Sequence, residues 1–203
     1  MTESRSGRRP YRLGKREASV AETRSRILEA AADAYRDLGV NGTSMQEVAR
    51  RADVAAGTVL NHFDTPDDLT EAVVDRIIGQ LSVPRADSLD GIEDPLGRVE
   101  LAIAEVYAFY QRSDPWVAFF FRERGVVPAI DRGQERVTLA IAELLEAALG
   151  SLIVDADIRI AVGTVMDPGT RAAFMRAGAT EGDVAARAYA QVEGLIRERT
   201  EGA

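Results

Sequence analysis

The chain has no cysteine, one histidine and one tryptophan among its 203 residues. Without cysteine, disulfides and thiolate metal sites are excluded. Together with an N-terminus that is basic rather than apolar, this predicts a reducing, cytoplasmic setting. No apolar run is expected to reach the roughly 18 residues of a membrane helix, so no membrane partner is predicted. Strand signals, internal repeats, a phosphate-binding loop and a nucleophile motif are all missing. The lone His62 lacks the partners that catalysis or metal binding would need, and the acids sit mostly at helix starts and on exposed faces, so no enzyme, metal site or cofactor is predicted. What is present is 46% hydrophobic and 29% charged residues, the balance of a globular protein.

Positive charge is scarce overall, with a net charge of −8. Its distribution matters more than its sum. Residues 1–63 carry eleven Arg or Lys against eight Asp or Glu, a balance of +3, which leaves −11 for residues 64–203. Arg5, Arg8, Arg9, Arg12, Lys15 and Arg16 crowd the first sixteen residues among Ser, Gly and Pro. Residues 1–18 are therefore expected to be a flexible basic arm, either a solvated tail or a nucleic-acid contact.

Helical punctuation begins at Ser19-Val-Ala-Glu22, the spacing of a capping box. Ile27, Ala31, Ala34 and Leu38 then form one apolar stripe, and Gly39 supplies a stop. A second capping box, Ser44-Met-Gln-Glu47, opens a short helix reaching about Ala52. Asp53-Val54-Ala55 forms a tight turn, and Ala56 to Phe63 a second short helix. Two short helices joined by three residues suggest a helix-turn-helix, in which the second helix lies in the major groove of duplex DNA. Thr65-Pro66-Asp67-Asp68 starts a fourth helix with a cap, a proline at the first position and acids in the first turn.

The stretch from Thr23 to Val73 resembles the DNA-binding domain of TetR-family regulators. Thr23-Arg24, Ile27-Leu28 and Ala30-Ala31 resemble the family's first helix, and Val48-Ala49, Ala52 and Val54 its second helix and turn. Gly57-Thr58-Val59 with His62-Phe63 resembles the recognition helix, and Asp68-Leu69 with Ala72-Val73 the linking helix. The resemblance implies an all-α protein with the arm at 1–18, a three-helix DNA-binding domain at 19–80, and a helical ligand-binding and dimerisation domain at 81–203. It implies a ligand-responsive repressor that binds a palindromic operator as a homodimer. Gln46, Ala56, Gly57 and Thr58 match base-facing or groove-lining positions, and Thr43, Ser44, Asn61 and His62 match backbone-contacting ones. The chain departs from the pattern at Asp53, where Gly is usual, at Ala55, where Ser or Thr would cap, at Leu60, where Tyr is typical, and at Pro66, where Lys is. Leu60 and Pro66 remove a phosphate-directed hydroxyl and ammonium, and the basic arm is expected to replace part of that attraction.

The body reads as further helices. One starts at Asp94-Pro95 and runs to about Arg112, a second spans 134–149, and others lie near 155–166, 169–178 and 181–199, with a short aromatic segment from Trp116 to Arg124 between the first two. Phe119, Phe120 and Phe121 cannot face one way, because three consecutive helical positions span about 200°. The resemblance implies a small apolar effector bound among Tyr107, Tyr110, Trp116, Phe120 and Phe174, which could equally be plain core. It places the dimer interface on the last two helices, where Ala185, Ala188 and Gly194 are small enough for close packing. A helical small-molecule-binding or interaction protein that has lost specific DNA binding is the alternative.

Overall fold

A computed structural model describes residues 9–201, with side chains from Glu17 onward. Ten α-helices follow in order, α1 (Arg9–Leu38), α2 (Met45–Arg51), α3 (Ala56–His62), α4 (Pro66–Leu81), α5 (Pro95–Glu123), α6 (Pro128–Leu149), α7 (Ala156–Val165), α8 (Pro168–Arg176), α9 (Val184–Ala190) and α10 (Glu193–Glu201). No strand occurs among the described residues. The described residues divide into two compact units, a head of residues up to 76 with 119–130, and a body of residues 77–118 with those from 131 onward.

In the head, α1 begins ten residues before the expected start at Ser19. The supposed capping residue lies inside the helix, where its carbonyl accepts a bond of 2.9 Å from the Thr23 hydroxyl four residues on. Lys, Arg, Leu, Ala and Glu dominate this stretch and are strong helix formers, which outweighs one Ser-x-x-Glu spacing. Residues 9–18 are thus helical rather than a flexible arm, and the arm's first eight residues lie outside those described. The stop is as expected. Gly39 has φ +79° and its N–H donates to the Tyr35 carbonyl, a left-handed end that a side chain would strain. Ser44 caps α2 by accepting the Glu47 N–H at 3.1 Å. Asp53 turns the chain at φ +53°. Thr65 and Asp68 accept each other's backbone N–H at 3.1 Å, a full capping box around Pro66. Ile27, Ala31, Ala34, Val59 and Val73 are fully buried between these helices.

In the body, α5 does not end near Arg112 but continues through Pro115. Bonds from residues just before the proline hold the backbone in place. The Arg112 guanidinium donates to the carbonyls of Leu81 and Ser82, and Arg171 donates to both oxygens of Asp114 at 3.2 and 3.1 Å. Tertiary anchors of this kind override a break that costs about 3 kcal/mol in an isolated helix. The aromatic segment from Trp116 is consequently helical as far as Glu123, and its phenylalanines fan out, Phe119 buried, Phe120 half-buried and Phe121 72% exposed. α6 begins at Pro128, six residues earlier than expected, and stops at Gly150 with φ +53°.

Asp155 and Asp167 cap α7 and α8. The single helix expected over 181–199 is two, because Gln191 and Val192 donate to Ala188 and Tyr189, tightening the chain by i→i−3 bonds. Val99, Ile103, Leu144, Ile158, Val162 and Ile196 are fully buried in one core. One expectation about hydropathy is overturned. The segment Pro128–Val154 holds an 18-residue window of mean hydropathy 1.9, long and apolar enough by composition to cross a membrane, with 17% of that window buried. Leu139 and, on α7, Ile160 are among the exposed large apolar side chains of this unit.

Candidate nucleic-acid interface

α3 owes its position to one buried edge. Val59 is fully buried and Phe63, which closes the helix, is 4% exposed, with the Arg24 guanidinium stacked 4.8 Å over the Phe63 ring. At about 100° per residue, Ala56, Leu60, Gly57 and Asn61 then share a sector of about 140° that runs from beside the buried edge to its far side. All four are exposed. A Cβ placed on Gly57 would meet nothing within 4 Å. The remaining predicted residues of this helix, Thr58 and His62, are half-buried on the other flank of Val59.

The turn before α2 carries two hydroxyls with different remaining capacity. Thr43 Oγ1 donates to the Gly39 carbonyl at 2.8 Å, so its proton is already used. Ser44 Oγ accepts from Glu47 N, so its own proton is free to donate. Gln46 is exposed on α2 and its amide can still pair with a base edge.

Behind Gln46, Glu47 accepts from Arg50 at 2.9 and 2.7 Å and from Arg51 at 2.8 Å, and Arg51 reaches Asp37 of α1 at 2.7 Å. Hydrogen bonds from Arg50 and then Arg51 hold the Glu47 carboxyl down at about 2. This network orients α2 against α1. It was not legible from sequence, apart from the i,i+3 and i,i+4 spacing of its acids and bases.

A second unpredicted feature lies at the far end of α1. The Arg122 guanidinium donates to the carbonyls of Tyr35 at 2.8 Å and Arg36 at 3.3 Å, closing the last turn of α1. It also pairs at 2.8 Å with Glu123, whose side chain is 6% exposed and whose carboxylate sits against Gly39. No local pattern announces this pair, because its partners are 86 and 87 residues away.

The five aromatics predicted for an effector do not form one lining. Tyr107 is buried in the body core, and Tyr110 and Phe174 pack against it. The Tyr107 hydroxyl donates to the Val165 carbonyl and that of Tyr110 to Met166, both at 2.8 Å. Burial pushes the Tyr107 hydroxyl up to about 12 and raises that of Tyr110 as well. Trp116 is half-buried further along α5, and Phe120 belongs to the head, edge-on to Phe119. Two clefts open elsewhere, about 200 Å³ beside Thr43 and Ser44 in the head and about 310 Å³ beside Arg85 and Arg112 in the body, and none of the five lines either. Of the small residues expected at a dimer interface, Ala188 is fully buried in the body core and offers no open face, Ala185 is half-buried against that core, and Gly194 is exposed. Among the described residues no group of three His, Asp or Glu is placed to hold a metal ion.

Residues 27–73 match the family model described as bacterial regulatory proteins, tetR family. The chain is 34% identical over 103 residues to the HTH-type transcriptional repressor Rv3405c of Mycobacterium tuberculosis, an alignment that covers 48% of this chain and 52% of that protein. It thus spans about half the length of the curated relatives it matches. Its fold is similar to that of a transcriptional regulator from Rhodococcus sp. Rha1, with a TM-score of 0.60 at 19% identity over 86% of this chain and 96% of that one. A putative TetR-family regulator from Mesorhizobium loti gives a TM-score of 0.58 at 20% identity over 88% and 96%. The matched segment coincides with the helices that carry the exposed α3 stripe, so the head is similar to the DNA-binding segment of the tetR family, and the fold as a whole is similar to that of these solved regulators.

Proposed function

We propose that the protein is a ligand-responsive transcriptional regulator, a repressor that binds a palindromic duplex as a homodimer and works in the cytoplasm. The observation that carries this reading is the open stripe of α3, whose slim edge at Ala56 and Gly57 fits a major groove about 12 Å wide. Around it, Gln46 and Asn61 offer amides to base edges, and Ser44 offers a phosphate-directed hydroxyl that Thr43 has already spent on Gly39. The exposed Leu139 and Ile160 support self-association through α6 and α7 better than the buried Ala188 supports it through α9. An effector in the body would have to open the core around Tyr107 and Tyr110, and it must bind the state with lower DNA affinity more tightly.

The test is a gel shift on the duplex upstream of the protein's own gene, run beside sedimentation. A retarded, sequence-dependent complex of two chains is expected. A monomer at micromolar concentration that retards no duplex overturns the reading in favour of a helical protein without specific DNA binding. A screen of small apolar compounds for release of that duplex tests the effector, and a screen in which none releases it counts against ligand control.

A further inference from the structure

Leu60 stands out on α3 because the stripe around it has almost no hydrogen-bonding chemistry. Ala56, Gly57 and Leu60 carry no donor or acceptor on their side chains, and Asn61 alone among the four does. Leu60 is nevertheless 50% exposed, while Val59 beside it is fully buried. Half of its surface is therefore open to contact something other than the head.

We propose that Leu60 is a specificity-determining residue that reads the C5-methyl group of thymine in the major groove. The inference rests on the DNA-binding reading and deepens it by naming a base. A seven-residue helix is about 10 Å long, shorter than the major groove is wide, so its fifth residue lies over base edges along with its first. The base edges there present donors, acceptors and a single apolar group, the thymine methyl. A leucine buried against donors and acceptors would desolvate them without replacing their bonds, which disfavours any base pair lacking that methyl. Ala56 lies one turn earlier on the same side, so the two side chains form a continuous apolar strip. The missing side chain at Gly57 lets the helix approach closely enough for the leucine to touch it. A leucine cannot bond phosphate, so contact with the backbone would give it no role.

The experiment selects duplexes from a random-sequence library with the wild-type chain, Leu60→Ala and Gln46→Ala, and then compares the selected duplexes made with thymine and with uracil, which lacks only the methyl. The wild type should show a thymine preference at a symmetric pair of positions. Uracil there should weaken binding about fourfold per half-site, the effect of one buried methyl. Leu60→Ala should keep the rest of the selected sequence and lose the thymine-over-uracil difference. Gln46→Ala should change preference at other positions and keep that difference. Equal binding of thymine and uracil duplexes by the wild type, or an unchanged ratio in Leu60→Ala, overturns the role of Leu60 while leaving DNA binding intact. Enrichment of no duplex by the wild type overturns both readings together. Circular dichroism of Leu60→Ala should match the wild type, since Leu60 lies outside the buried core.

Discussion

In the head, the decisive bonds are local: Ser44 to Glu47, Thr65 to Asp68 and Gly39 to Tyr35 join residues three or four apart. In the body, beside local caps at Asp155 and Asp167, the bonds that tie one segment to another are remote. Tyr107 reaches Val165, Tyr110 reaches Met166 and Arg171 reaches Asp114 across 56 to 58 residues. The head is specified by punctuation that any short window of sequence contains, and the body by which helices come to bury one another. The two should therefore respond to different kinds of substitution.

The largest effect is expected in the body core. Leu144 is fully buried among residues of α5, α7 and α10. Leu144→Ala should cost about 2–5 kcal/mol, read as a lower urea midpoint at unchanged slope. A loss below 1 kcal/mol would mean that the body can collapse around the gap, and that its core is looser than its burial implies.

The head also has remote bonds, Tyr35 to Thr70, Arg76 to Ser25 and Arg122 to Tyr35 and Arg36, and the last of these gives a sharper test of the contrast. Arg122→Ala uncaps the last turn of α1 and leaves the buried Glu123 carboxylate without its cation. About 1–3 kcal/mol should be lost, less than for a fully buried pair because Arg122 is 46% exposed. Gly39→Ala should fail for two reasons at once, a φ of +79° and a Cβ 2.9 Å from the Glu123 carboxylate. If both variants unfold at the wild-type urea concentration, the head needs only its local bonds.

The same division explains what could be read from the sequence. α2, α3, the turn at Asp53 and the start of α4 were legible because their signals are cap spacings and a left-handed turn, which act within four residues. Ser19 shows the limit of that method. Its capping-box spacing is present, yet the helix runs through it because most of the ten residues before it, Arg, Leu, Lys, Glu and Ala, are good helix formers. The continuation of α5 past Pro115 was not legible, since Arg112 and Asp114 find their partners far away in sequence. Nor was the depth of Ala188, because a small residue suits a buried core and an exposed interface equally well. At the candidate site, residue types were readable but orientation was not. Periodicity could not show that Thr58 is half-buried while Leu60, equally far round from Val59, is exposed, nor that the Thr43 proton is already committed.

A smaller pair of changes probes the local bonds themselves. Ser44→Ala removes the α2 cap and should cost about 1 kcal/mol. Ala55 ends the turn in an extended conformation, φ −68° and ψ 146°, with no side-chain cap on α3. Ala55→Ser should therefore gain about 0.5–1 kcal/mol. Thermal unfolding that shifts in the same direction for both would break the claim that caps organise the head.

The smallest effect is electrostatic and depends on pH. Hydrogen bonds from Arg50 and Arg51 hold the Glu47 carboxyl at about 2, against an ordinary value near 4.3. A carboxyl lowered on folding adds stability that is fully present above its unfolded value and is lost as pH falls through the folded one. The window is therefore pH 4.3 down to about 2. The body holds carboxyls low in the same sense, Asp155 through the Ile158 N–H and then Arg199, and Asp183 through Arg187 and then the Thr180 N–H. Acid should thus weaken both units, and only a difference measurement isolates the head. Glu47→Gln cannot change its protonation, so its deficit relative to the wild type should be constant from pH 7 to 5 and then shrink as the wild-type carboxyl takes up its proton. Because the Glu47 side chain has solvent access and its bonds are local, the deficit at pH 7 should be modest and should fall further in high salt. A deficit that stays level from pH 5 to pH 2.5 would mean that Glu47 acts by shape rather than charge, and that α2 is held to α1 by its buried face alone.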